Sequence, residues 1–147
     1  AHRAVKKNFG NPMAWWALSA TFLKSDNPVK AYSAARMAVD LANGTPLEFW
    51  ALSQLAGAAM AVRKLDEARS LLKNVSFGRP DFRPPLRYLL TLHATNEEWE
   101  DAVAAADRLK VLEPGFSVDQ LANDRDYPIS LLHQSVGLDK ERVRRLI

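Results

Sequence analysis

Apolar positions along this chain recur with a helical period. Trp15, Leu18 and Phe22 share one face of a helix, as do Leu52, Leu55 and Ala59, and then Leu86 and Leu89. Runs that alternate apolar and polar at period two are absent, so a sheet is not predicted. Each apolar stretch is followed by a second helical run that opens on an alanine. The openings are Asn27-Pro28-Val29-Lys30-Ala31, Lys64-Leu65-Asp66-Glu67-Ala68 and Glu98-Trp99-Glu100-Asp101-Ala102. Proline punctuates the pattern: Pro12, Pro28, Pro46, Pro80, Pro84, Pro85, Pro114 and Pro128 all fall at predicted helix edges, where a missing N–H is tolerated.

The alanines define an internal repeat. Ala31 and Ala68 are 37 positions apart and Ala68 and Ala102 are 34 apart, the longer interval being accommodated by the turn around Thr45–Glu48. Sixteen residues upstream of each alanine stand Trp15, Leu52 and Leu86; seven downstream stand Ala38, Val75 and Leu109. A small residue at the alanine position lets two helix backbones approach closely. Pro80 and Pro114 stop the second helix of their units, and Asn43-Gly44 does so in the first.

Trp15, Leu18, Phe22, Ala31, Ala35 and Ala38, with the corresponding residues of the next two units, resemble the tetratricopeptide repeat. The resemblance spans about residues 1–116, with Ser19 and His93 departing from the usual small and aromatic types. It implies an all-α, α-α superhelix: a solenoid of about three helix pairs with a non-repeat C-terminal helical cap. The expected organisation is a single helical domain over 1–147, with repeats at about 12–45, 49–82 and 83–116. Residues 1–9 read as the end of a preceding helix and 117–147 as capping helices. Phe82–Leu89, Leu112–Val118 and Tyr127-Pro128 are similar to the C-terminal repeat region of bacterial winged-helix transcriptional regulators and of adenylate/guanylate cyclase-type signalling proteins. On that likeness the chain is expected to be a fragment of a longer regulator, and cytoplasmic.

Composition narrows the chemistry. Hydrophobic residues make up 48% and charged residues 25% of the 147 positions, an ordinary balance for a packed domain. No apolar run approaches the ~20 residues of a membrane span, so no membrane partner is expected. The absence of cysteine removes disulfides and thiol catalysis. His2, His93 and His133 are scattered, and no metal or cofactor is expected; His93 reads as a core histidine bonded to a backbone carbonyl. There is no nucleophile elbow, phosphate loop or carboxylate pair, so the chain is read as a non-enzyme; Asp124-Arg125-Asp126 is a solvated turn. A net charge of +3 does not argue for nucleic acid, which would enter through a missing domain. The cations Lys140, Arg142, Arg144 and Arg145 suit the last turn of a helix.

The expected function is to hold a protein or peptide partner in a groove lined by the first helix of each pair. Residues one step round from the core face would line it: Met13, Trp16, Ala20 and Lys24, then Trp50, Ser53, Gln54, Gly57 and Met60, then Arg87, Tyr88 and Thr91. Adjacent Trp15 and Trp16 lie ~100° apart on a helix, so one is assigned to the core and the other to a second surface. Arg87 is expected to pair with a partner's carboxylate. Trp16 and Trp50 have an alternative reading as packing residues, Trp16 against Val5 and Phe9. A small-molecule sensor and self-association through the N-terminal half-repeat are the competing functions.

Overall fold

The computed structural model describes residues 9–78 and 83–116, and these form helices and turns with no strand. Among the described residues six helices follow one another: α1 (Pro12–Lys24), α2 (Pro28–Ala42), α3 (Glu48–Ala61), α4 (Leu65–Gly78), α5 (Arg83–Thr95) and α6 (Trp99–Leu112). The expected helix end at residues 1–8, the stop at Pro80 and the cap at 117–147 lie outside the described residues. The chain divides into two compact units, 1–75 and 76–147.

Local chemistry sets the helix boundaries. Asn11 is extended and its side chain accepts a hydrogen bond from the Met13 N–H at 2.9 Å, while Pro12 takes the first helical position, where no N–H is needed. Pro28 likewise takes the first helical position of α2, although Asn27 before it makes no side-chain capping bond. Thr45 closes α2: its backbone N–H and its hydroxyl both donate to the Ala42 carbonyl, at 2.9 and 2.7 Å. Gly44 beside it has φ of 75°, which glycine adopts without penalty.

The turns within the pairs α1–α2, α3–α4 and α5–α6 are the same structure three times. Asp26, Arg63 and Glu97 take left-handed backbone conformations, with φ of 55°, 67° and 58°. The next N–H, from Asn27, Lys64 or Glu98, donates to the carbonyl five residues back, on Phe22, Ala59 or His93, at 2.8 Å in every case. The left-handed residue itself donates three residues back, to Leu23, Met60 or Ala94, at 3.1–3.2 Å. These paired bonds satisfy helix-end carbonyls and reverse the chain within three residues. Four residues on, the N–H of Ala31, Ala68 or Ala102 closes the first turn of the second helix, and all three alanines are fully buried.

In the first unit α1 packs on α2 and α3, and α2 packs on α3. The buried face of α2 is alanine throughout: Ala31, Ala34, Ala35, Ala38 and Ala42. Such a face permits close helix approach. Every position of α3 from Ser53 to Met60 is buried, the pattern of a helix covered on all sides. The Ser19 hydroxyl, also fully buried, donates to the Ala31 carbonyl at 2.8 Å and accepts from the Gln54 amide at 3.1 Å, joining α1, α2 and α3. Helix α4 is tied to α2 at a less buried place. The Tyr32 hydroxyl lies 2.8 Å from both Glu67 carboxylate oxygens, Arg36 pairs with Glu67 at 3.2 Å, and the Lys64 ammonium sits 4.6 Å from the centre of the Tyr32 ring. In the second unit α5 packs on α6; Leu86, Leu89, Leu90 and Leu92 are buried on α5, and Ala102, Ala105, Ala106 and Leu109 on α6.

Candidate functional site

The residues expected to line a groove separate into accessible and enclosed groups. In the first unit Lys24 and Trp50 are exposed, Trp50 at 41%, whereas Ser53, Gln54 and Met60 are buried. In the second unit Tyr88 and Thr91 are buried and Arg87 is half-buried. This burial leaves a smaller accessible surface than an open groove lined by all of them would present. The reason is geometric. A step away from the core face of α3 leads into another buried side of the same helix, since α3 is enclosed along most of its length. Gln54 is spent on Ser19. Thr91 donates its hydroxyl to the carbonyl of Arg87, one turn back, at 3.0 Å.

For the tryptophan pair the packing alternative for Trp16 agrees with the structure, in place of a division into one core and one groove residue. Trp15 and Trp16 are both half-buried, and both pack with Val39 and Leu47 on Ala38, Ala42 and Ala51. Helix α1 has two neighbours, α2 and α3, so directions ~100° apart both lead to protein. The Trp15 indole N–H donates to the Phe9 carbonyl at 2.6 Å. Phe9 itself is 73% exposed, and Val5 lies outside the described residues.

Arg87 already holds a carboxylate. Its guanidinium meets Glu113 at 2.6 Å, with about a fifth of each side chain exposed, so the partner carboxylate assigned to it from sequence is supplied by the chain itself. His93 is buried as expected, but its ring nitrogen Nδ1 faces the Glu98 carboxylate at 3.2 Å, in place of the backbone carbonyl that the sequence suggests.

The accessible surface that survives is a stripe on α1. Met13, Trp16, Ala20 and Lys24 fall at i, i+3, i+7 and i+11, which keeps them on one side of the helix. Met13 is 39% exposed, Trp16 and Ala20 are half-buried, and Lys24 is exposed. Trp50 occupies on α3 the register that Met13 occupies on α1, 37 positions on, and α1 packs against α3. Met13 and Trp50 are thus exposed apolar residues near the starts of two helices that pack together, with a cation about 16 Å further along α1 at 1.5 Å per residue. No helix among the described residues is long and apolar enough to cross a membrane. No protein-family model matches the chain, and no similar protein is found among curated sequences or solved structures.

Proposed function

We propose that the chain is a protein-interaction module of tetratricopeptide-like helix pairs, stacked as an α-α superhelix, that binds an extended peptide segment of a partner. In the setting suggested by its sequence it is the regulatory half of a bacterial transcriptional regulator or cyclase-type signalling protein, working in the cytoplasm. The observation behind this reading is the threefold recurrence of one turn and one buried alanine at the repeat spacing. Units that present like faces at regular intervals suit extended ligands.

The binding surface in this proposal is the α1 stripe together with Trp50. The ligand has an apolar or aromatic side chain for Met13, Trp16 and Trp50, and a carboxylate for Lys24. About five extended residues span the ~16 Å between those two ends. Trp50 is the anchor, because a half-exposed tryptophan gains most from being covered.

A displayed random-peptide library selected against the full chain tests this. A selected peptide should bind with a change in tryptophan fluorescence. Trp50→Ala should weaken it by about 30-fold, equivalent to ~2 kcal/mol, without changing helix content or melting. Val29→Ala, on an exposed part of α2, should leave binding unchanged. Failure to select any peptide, or equal weakening by Val29→Ala, would count against the proposal.

A further inference from the structure

We infer that the third hairpin contains a site for one first-row divalent cation of the Zn²⁺ type, with His93, Glu98 and Asp101 as its protein ligands. The three side chains each offer a donor atom, and these atoms all lie within 4.8 Å of one another. They come from a single turn. His93 lies in the last turn of α5, Glu98 immediately precedes α6, and Asp101 lies in the first turn of α6. The paired hydrogen bonds of the turn fix the first two relative to each other, since the Glu98 N–H is bonded to the His93 carbonyl.

The distances suit a metal. His93 Nδ1 and Glu98 Oε1 are 3.2 Å apart. Neighbouring donors around a tetrahedral ion with bonds of ~2.0–2.1 Å are separated by about 3.3 Å, so the two are already near ligand spacing. Asp101 is exposed, and its short side chain has room to complete the set. Glu98 stands at the helix N-cap yet makes no capping bond with its side chain; its carboxylate is turned to the imidazole. One imidazole nitrogen and two carboxylates form a mixed N/O donor set of the kind that suits a first-row divalent cation. Burial of the imidazole on one side and exposure of Asp101 on the other give a rigid back wall with an entry path. Water fills the remaining coordination positions.

The repeat supplies an internal control. The registers of His93, Glu98 and Asp101 are filled by Phe22, Asn27 and Lys30 in the first hairpin and by Ala59, Lys64 and Glu67 in the second. The backbone is shared by all three turns, and only the third has three metal-ligating side chains on it.

The test is titration of the intact chain with Co²⁺ and Zn²⁺ alone. One equivalent of Co²⁺ should give visible d–d absorption, Zn²⁺ should displace it, and Zn²⁺ should raise the melting temperature. Asp101→Asn, an exposed change that leaves the turn intact, should weaken uptake by about 10-fold or more, as should Glu98→Gln. His93→Gln should abolish it; if that variant does not fold, Asp101→Asn decides. Absence of uptake by the intact chain, or equal uptake by Asp101→Asn, would show that the cluster is only a histidine–carboxylate contact beside an acid in the first turn of α6. Metal uptake and peptide binding are read separately, so either can fail without the other.

Discussion

At the turn between α1 and α2, the Asn27 N–H reaches the Phe22 carbonyl at 2.8 Å; at the turn between α5 and α6, the Glu98 N–H reaches the His93 carbonyl at the same distance. The side chains on these two frames differ in kind. Phe22 is half-buried under the Lys30 ammonium, 5.8 Å from the ring centre. His93 is buried against a carboxylate. The comparison separates two layers of information. The backbone turn and the alanine that follows it make the helix pair, and these recur. The side chains beside the turn are free to vary, and that is where individual chemistry is placed.

Overpacking the recurring alanines gives the largest expected effect and tests whether the frames are mechanically alike. Ala31, Ala68 and Ala102 are fully buried, so leucine at any of them must displace a neighbouring helix. Each substitution should cost about 2–3 kcal/mol in urea denaturation, the upper part of the usual overpacking range. Three similar losses would support equivalence beyond the turn. A silent Ala102→Leu beside a severe Ala31→Leu would confine the likeness to the backbone hydrogen bonds.

A smaller effect distinguishes the first hairpin from the third. The Ser19 hydroxyl links three helices through Ala31 and Gln54, whereas the same register is held by Ala56 and Leu90 in the later units. Ser19→Ala strands the buried Gln54 amide and should cost about 1–3 kcal/mol. Gln54→Leu added to it should restore part of the loss, and a double-mutant cycle measures the coupling. Strict additivity would mean the bond contributes nothing.

The helices, and the packing of α1 on α2 and of α5 on α6, are legible from periodicity, because small residues at fixed spacing have a simple physical meaning. Pro12 and Pro28 mark helix starts for an equally direct reason. The surface is less legible. Periodicity finds the centre of a buried face, but not how wide an arc neighbours cover, which is why it places Ser53, Gln54 and Met60 in a groove. Sequence spacing also conceals His93, Glu98 and Asp101, since no familiar metal motif has that separation. The turn brings them together.

The left-handed turn residues are the other hidden feature, and they give the smallest and most discriminating prediction. Helix ends of this kind usually place glycine at the left-handed position, but this chain uses Asp26, Arg63 and Glu97. A β-carbon in this conformation costs roughly 1–2 kcal/mol, with aspartate penalised least because its short side chain bonds locally. Glycine removes that strain but adds freedom to the unfolded chain, which offsets part of the gain. Glycine also gives up the surface interactions of the longer side chains, each worth only ~0.5 kcal/mol. Arg63→Gly and Glu97→Gly should therefore stabilise the protein by about 0.5–1 kcal/mol, and Asp26→Gly by less, measured as shifts in urea midpoint at constant slope. Equal gains at all three would show that aspartate has no local advantage here. A loss at Arg63 or Glu97 would mean that the side chain, and not the backbone frame, holds its hairpin together.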